Sequence, residues 1–214
     1  KNGFNAPSVL EKKVDLDKEI SVLVARSARG EIVTYAPVEM VVDSKLNLLD
    51  YLIAPAELTA SQSEAAVQLA KDVAEKLNII GLLAVELFLT KGGQFLVNEL
   101  APRPHNSGHH TIESAKTSQF EQALRAVLGI SLGSVVENGM ALTRNLIGEP
   151  GASGPAKFYG VADAEKMPGV FVHNYGKIET RPGRKMGHIT MLADSREAVK
   201  KLDQMVKPLV RVST

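Results

Sequence analysis

Apolar side chains alternate with other residues at Ile20, Val22 and Val24, and the same two-residue rhythm resumes over residues 31–35 after a turn at 27–30. A β-hairpin is expected there. Residues 37–42 extend the pattern as a further strand, while the apolar run 48–53 is too short to assign. Ser61 and Glu64 have capping-box spacing, and Ala66, Leu69, Ala70, Val73 and Leu77 then share one helical face, which predicts a helix ending near Asn78. Residues 82–89 and 95–100 read as strands around Thr90-Lys91-Gly92-Gly93-Gln94, where the glycine pair supplies the positive φ of a two-residue turn. Ser118 with Glu121 opens a second helix carrying Phe120, Leu124, Val127 and Leu128, and Gly129 sits where a left-handed cap belongs.

Gly and Pro cluster over residues 148–154 and interrupt both helix and strand, so the chain is expected to divide there, into residues 1–148 and 149–214. Short β segments surround the boundary, at 140–147, 170–174 and 188–192. Ser195 then opens a closing helix with Ala198, Leu202 and Met205 on one face. The order is hairpin, helix, hairpin, helix, then a mostly β module. The expected class is α+β, with an antiparallel sheet in place of a doubly wound parallel one.

Composition narrows the chemistry. The 214 residues are 44% hydrophobic and 23% charged, enough for one large domain or two small ones. Twenty-five Lys and Arg against 24 Asp and Glu give a formal charge of +1, which supplies no general attraction to nucleic acid or to anionic membrane. Cysteine is absent, so disulfides, thiolate nucleophiles and cysteine-held zinc are excluded. No apolar run approaches the ~20 residues of a membrane span, and residues 1–7 lack the apolar core of a secretory signal. A cytoplasmic protein is expected. The first residue is Lys and strand-like sequence follows almost at once, as in a piece of a longer protein.

With Gly92-Gly93 as a two-residue turn, Glu86 falls opposite Glu99 and Phe88 opposite Val97, all on one face. Like charges so placed repel, and an intact pair calls for a cation or a shared proton. Magnesium prefers such oxygens and completes its shell with nucleotide phosphate, leaving Phe88 and Val97 to face adenine or ribose. Asn98 points the other way in an ideal strand and contributes only near a bend. On pattern alone, two hydrated surface carboxylates are the commoner arrangement.

The run Leu100-Ala101-Pro102-Arg103-Pro104-His105-Asn106-Ser107-Gly108-His109-His110 crowds polar groups into a loop at the end of the Glu99 strand. Arg103 offers a planar fork for bicarbonate or phosphate, and His105 with Asn106 can donate to a developing oxyanion. His105 and His109 have helical spacing, but the prolines and Gly108 oppose a helix, which disfavours zinc. His109 and His110 read as ordinary packed polar residues. Further on, Lys177, Arg181, Arg184 and Lys185 gather in a Gly-punctuated stretch that suits a phosphate-sized anion, or equally a solvated turn. No aromatic residues interleave with these cations, as stacking on nucleic-acid bases requires.

The run 97–109, followed by Thr117-Ser118-Gln119-Phe120-Glu121 and Gly183-Arg184-Lys185-Met186-Gly187-His188, resembles the 5-carboxyaminoimidazole ribonucleotide synthetases, the ATPase subunit of phosphoribosylaminoimidazole carboxylase in the ATP-grasp group. The likeness spans nearly the whole chain. It implies the second half of an ATP-grasp fold plus a small, mostly β carboxy-terminal domain. It also implies an activity in purine biosynthesis: ATP phosphorylates bicarbonate to carboxyphosphate, which carboxylates the amine of 5-aminoimidazole ribonucleotide. ATP and Mg2+ are then the cofactors, with Glu86 and Glu99 as metal ligands. The resemblance assigns Glu11, Lys12, Lys13 and Val14 to the strand that holds adenine, and Glu19 to the ribose hydroxyls. It places Phe88, Asn98 and Glu99 at the nucleotide and Arg103 and His105 at bicarbonate and carboxyphosphate, with Asn106 and Ser107 in the same loop. Lys177 and Arg184 become the cations on the ribonucleotide phosphate. Without it, residues 11–13 read as a solvated charge run.

Two departures shape the expectation. Relatives often carry a polar residue, commonly His, near Val42, which removes one nucleotide contact. No glycine-rich phosphate loop bearing a lysine occurs in the chain, Gly92-Gly93 being a hairpin turn, so a truncated fragment with little or no turnover is expected. Rival readings are a formate-using glycinamide ribonucleotide transformylase, a biotin carboxylase, and a non-catalytic nucleotide-binding or oligomerisation module. The resemblance also implies a homodimer, for which residues 48–53 offer apolar surface.

Overall fold

A computed structural model describes residues 7–43 and 48–214, with no side-chain description at Asp43 or Leu48. The signal-free reading of residues 1–7 therefore lies, except for Pro7, outside the described residues. In chain order the elements are β1 (Leu16–Arg26), β2 (Ile32–Thr34), β3 (Val38–Asp43), β4 (Leu48–Ala54), α1 (Ala60–Lys76), β5 (Gly81–Thr90) and β6 (Phe95–Ala101). Then come α2 (Thr111–Ser114), α3 (Gln119–Val127), β7 (Met140–Ile147), β8 (Gly154–Pro155), β9 (Lys157–Tyr159) and α4 (Val161–Ala164). The chain closes with β10 (Val170–Asn174), β11 (Glu179–Thr180), β12 (Lys185–Ala193), α5 (Arg196–Val206) and β13 (Arg211–Ser213).

One sheet runs β10-β12-β7-β4-β3-β1-β5-β6, with β2 added to β1, and the named strands within it pair antiparallel. The fold is α+β, as the patterning predicted. Gly148 directly succeeds β7, which pairs with β4 on one side and β12 on the other. The side chains of β7 pack mainly with elements nearer the carboxy terminus: Leu142 and Leu146 share a core with Ile189, Met191, Val199 and Val206.

Alternation sorts β1 and β5 between two cores. Ile20, Val22, Val24, Leu83, Val85, Leu87 and Leu89 face α1 through Ala66, Ala70 and Ala74, whose small side chains let the helix lie close. Leu23, Ala25, Leu82 and Ala84 form a core on the other face with Tyr35 and Ala101. That second face is covered over this half and left open further along, at Glu19, Glu86 and Phe88.

Three expected helix details move. The capping box of α1 is Thr59 with Gln62, in place of Ser61 with Glu64: Thr59 Oγ1 accepts from Gln62 N, and Gln62 Oε1 accepts from Thr59 N at 3.0 Å. In α3 the cap at Ser118 is as expected, but the buried face is Gln119, Gln122 and Ala126, while Leu124, Val127 and Leu128 are 60–67% exposed. The two glutamines turn inward because each satisfies loop backbone groups there. In α5 the buried stripe is Val199, Asp203 and Val206, with Met205 half exposed, since Asp203 is drawn in by Arg144. The run 48–53 proves to be a strand with Leu52 and Ile53 buried, so it offers little free apolar surface.

Candidate active site

The β5–β6 hairpin sets the geometry. Thr90 N donates to Gln94 O and Gly93 N to Thr90 O, closing a three-residue loop over Lys91, Gly92 and Gly93, with Gly93 at φ +80°. This corrects the expected two-residue turn and moves the register by one, so Phe88 faces Leu96 and not Val97. A bulge between Val97 and Glu99 then moves it back. Glu86 therefore stands directly opposite Glu99 after all. The bulge also turns Asn98 toward the carboxylates, its Nδ2 3.5 Å from Glu86 Oε2.

Burial raises the Glu86 pKa first, with Glu99 and Glu19 adding to the rise, while Asn98 and Lys185 pull it back. Glu86 is half-buried and Glu99 more exposed. The donor set fits a hard divalent cation, because two facing carboxylates are what an ion of this kind binds and what the repulsion calls for, with the Asn98 amide nitrogen turned to Glu86 beside them. Among the described residues no group of three or more His, Cys, Asp and Glu forms a metal cage. An ion here must complete its shell with water or ligand oxygens, as magnesium does on nucleotide phosphates.

Beside the carboxylates lies a cleft of about 410 Å3 lined by Glu11, Lys12, Lys13, Val14, Leu16, Phe88, Leu96, Val97 and Asn98. The charge run at 11–13 thus lies against the hairpin, anchored by Lys91 N donating to Asp15 O at 3.0 Å and by a Lys91–Asp15 ion pair. Glu19 pairs across the sheet with Phe88 but lines a neighbouring depression, with Lys18 and Glu39 through Val42; burial raises its pKa.

Beyond Glu99 the chain leaves the sheet. Arg103 donates to Pro104 O at 3.1 Å and keeps an exposed guanidinium. His105 Nε2 lies 3.4 Å from Glu86 Oε1, while its Nδ1 takes the Ser107 N–H at 3.4 Å, which leaves the ring hydrogen on Nε2. Burial, reinforced by Arg103 and opposed by Glu99, lowers the His105 pKa and so favours the uncharged ring. Asn106 and Ser107 stand in a short 3-10 turn, Asn106–Gly108. Asn106 is partly exposed, whereas Ser107 is fully buried with its hydroxyl 2.8 Å from Ser21 Oγ and 2.9 Å from His105 Nδ1. Ser107 therefore orients His105. A Cβ on Gly108 would fall 2.4 Å from Gln119 Oε1 and from Leu23 Cδ1, so this packing admits glycine alone without a shift.

The cationic stretch is split. Arg184 donates to Glu179 O at 2.8 Å and lines a depression with Ser153, Gly154, Glu179, Thr180 and Arg181. Lys177 lies outside that lining; it donates to Lys185 O and sits 5.5 Å above the Tyr175 ring. Lys185 is the cation that connects the regions. Burial lowers its pKa, Glu86 opposes that, and Lys177 and Arg103 add to it. Between β12 and β5 the sheet holds β7, β4, β3 and β1, which if flat would put the two strands about 24 Å apart. The sheet curls enough to bring Lys185 into the field of Glu86.

Two residues escaped the sequence reading. Lys185 was one of four cations with nothing to rank it. Gln119, fully buried, grips His105 through both backbone groups, N to Oε1 at 2.9 Å and Nε2 to O at 2.8 Å; a glutamine on the polar stripe of an amphipathic helix carries no signal of that.

An antiparallel fold with an acidic pair over a nucleotide-sized cleft defines a class, and comparison agrees. Residues 1–120 match the ATP-grasp domain model, and the chain belongs to the ATP-grasp family. Residues 141–202 match the phosphoribosylaminoimidazole carboxylase C-terminal domain. The chain is 44% identical over 186 residues to the N5-carboxyaminoimidazole ribonucleotide synthase of Bacillus subtilis (strain 168), covering 86% of this chain and 46% of that relative. To the chloroplastic phosphoribosylaminoimidazole carboxylase of Vigna aconitifolia it is 40% identical, over 92% of this chain and 35% of the relative. Among solved structures, N5-carboxyaminoimidazole ribonucleotide synthetase from Thermotoga maritima superposes with a TM-score of 0.90 at 42% identity, covering 98% of this chain and 57% of that one. The Aspergillus clavatus synthase solved with ADP and 5-aminoimidazole ribonucleotide gives a TM-score of 0.82 at 29% identity, covering 92% and 52%. The chain thus spans about half, or less, of the length of these curated relatives.

Proposed function

We propose that this chain is the metal- and carboxyl-handling part of an ATP-grasp ligase that carboxylates the amine of 5-aminoimidazole ribonucleotide, using ATP and bicarbonate by way of carboxyphosphate. The observation that carries the reading is the Glu86–Glu99 pair with His105 Nε2 at its edge. Likeness to a synthase solved with ADP and the ribonucleotide supports the choice of substrate.

In this reading Glu86 and Glu99 hold a magnesium ion, which when bound offsets charge on the transferring phosphoryl group. Residues 11–14 and Phe88 hold adenine, Asn98 borders the phosphates, and Glu19 takes the ribose hydroxyls. Arg103 binds bicarbonate and carboxyphosphate through its fork. His105, kept uncharged, donates its Nε2 hydrogen to the developing oxyanion without repelling Arg103. Asn106 lies beside the same substrate, and Ser107 contributes by fixing the His105 ring. Lys177 and Arg184 hold the ribonucleotide phosphate, with Lys185 between them and the carboxylates. The division after Gly148 then assigns nucleotide and metal to the first part and the ribonucleotide cations to the second.

The wider setting is a cytoplasmic homodimer; among the described residues no helix is long and apolar enough to cross a membrane. The exposed Leu124, Val127 and Leu128 of α3 supply more apolar surface for self-association than β4 does. Calorimetric titration with Mg-ADP tests the nucleotide site: Glu86→Gln and Glu99→Gln should each weaken binding at least tenfold, and metal-independent binding in all three proteins would refute it. Mass spectrometry of the product from the full-length enzyme separates this carboxylation from a formyl transfer.

A further inference from the structure

His109, His188 and Tyr175 come from three separate segments and meet at one point. His109 stacks on His188 with ring centroids 4.4 Å apart and planes at 8°, His188 stacks on His173 at 4.4 Å, and Phe120 backs His109 at 6.0 Å. Tyr175 Oη lies 3.3 Å from His109 Nε2 and 3.0 Å from His188 Nδ1. At one end, Gln119 Nε2 lies 3.3 Å from His109 Nδ1 while the same amide grips the His105 backbone. At the other, His173 Nε2 lies 2.6 Å from Glu113 Oε1.

The hydrogen bonds run in one direction. Gln119 is fixed by His105, so its N–H can only donate to His109 Nδ1, which puts the His109 hydrogen on Nε2. That hydrogen goes to Tyr175 Oη, and the Tyr175 hydroxyl donates to His188 Nδ1. The chain ends at His188 Nε2, which is buried with no partner among the described residues. Neither histidine reaches the carboxylate pair. Their neighbours connect to it: His105 touches Glu86, Lys185, three residues before His188, lies in the field of Glu86, and Lys177, two after Tyr175, donates to Lys185 O.

We infer that His109, His188 and Tyr175 are positioning residues that clamp the Lys177–Lys185 side of the site onto the His105 loop. They set the spacing between the carboxylate pair and the cations. The consequence for catalysis rests on the proposed function; the clamp itself does not.

The clamp needs neutral rings. A proton on His109 Nδ1 would oppose one N–H to another at Gln119. Burial first, then repulsion from His105 and His173 where they are protonated and from Lys185, holds His109 down to about 4. Burial, then His109 and His173, holds His188 down to about 3, and Glu113 is the carboxylate facing the stack, through His173. Both values lie below the ordinary 6.5, so the closed clamp is favoured above that pH and weakens as the pH falls toward 4.

Hydrogen–deuterium exchange, corrected for intrinsic rates, tests this on the chain without any ligand. His109→Ala should speed exchange about tenfold in residues 105–111 and 185–189 together, with β1 and β5 unchanged. His109→Phe keeps a stacking ring that cannot titrate but loses the bonds to Gln119 and Tyr175; it should loosen both segments less than His109→Ala does. Bringing the wild type from pH 7.5 to 5 should loosen both segments together, and His109→Phe should respond less. Loosening of one segment alone, or no joint response to acid, overturns the clamp. Should His109→Ala not fold, Tyr175→Phe gives the same decision: both segments loosen severalfold, or the inference fails. A separate titration of the full-length enzyme with 5-aminoimidazole ribonucleotide isolates the functional reading, since absent binding with coupled exchange refutes the substrate and leaves the clamp standing.

Discussion

Glu86 and Glu99 face each other because two irregularities of one hairpin cancel: a three-residue loop displaces the strand by one position and the bulge at Asn98 displaces it back. The pair is therefore a strained arrangement in the absence of a cation, and stability and binding should respond to its removal in opposite directions. Glu86→Gln is expected to raise the unfolding free energy of the metal-free protein by about 0.5 kcal/mol, or about 1–2 °C in melting temperature, by removing a like-charge pair. Scanning calorimetry with chelator reads that gain, and the same variant should lose most of its affinity for Mg-ADP. A variant less stable and equally able to bind would break the link between repulsion and metal.

Gly108 is where the His105 loop packs against β1 and α3. Gly108→Ala forces a methyl to within 2.4 Å of Gln119 Oε1 and Leu23 Cδ1, and overpacking of this kind costs about 1–3 kcal/mol. Urea unfolding should show that loss. Because Gln119 holds both backbone groups of His105, activity of the full-length enzyme should fall further than stability does.

Acid should destabilise the protein through its buried histidines. His109 and His110 are held down to about 4 and His188 to about 3, each chiefly by burial, so their contribution is present above the ordinary 6.5 and is lost as the pH falls. Glu137 runs the other way: burial raises it to about 7, so its contribution is largest below 4.5 and declines as the pH rises to 7. Three protons against one leave the unfolded chain ahead by roughly two between about pH 4.5 and 6.5. Stability should rise with pH across that window in denaturant titrations, and a flat profile would contradict the burial of these rings.

Arg144 and Asp203 form a two-bond buried pair, Nε to Oδ1 at 2.6 Å and Nη2 to Oδ2 at 2.7 Å, and Arg144 also contacts Asp50. Asp203→Ala strands the guanidinium between β7 and α5 and should cost about 3–5 kcal/mol. Denaturant unfolding measures it; a loss under about 1 kcal/mol would mean that Asp50 compensates alone.

Turnover by the 214-residue chain alone should be negligible. Apart from the Lys91-Gly92-Gly93 hairpin turn, the sequence contains no glycine-rich loop with a lysine to cradle the transferring phosphoryl group. An ATPase assay with 5-aminoimidazole ribonucleotide and bicarbonate checks this, and a rate equal to that of the full-length enzyme would refute it.

Local chemistry wrote much of this protein into its sequence. Alternation at Ile20, Val22 and Val24 determined β1 and its buried face, Ser118 and Ser195 determined where α3 and α5 begin, and the run after Glu99 marked the site loop. Such features depend on neighbours a few residues apart, and the backbone enforces them wherever the segment lies. The tertiary structure decided the rest. The inward turn of Gln119 and Asp203 depends on partners at His105 and Arg144, 14 and 59 residues away. The place of Lys185 within the field of Glu86 depends on the curl of a sheet with four strands between them. Periodicity records which side of a segment avoids water, but polar side chains are drawn inward by distant unsatisfied groups, and that demand exists only once the chain is folded.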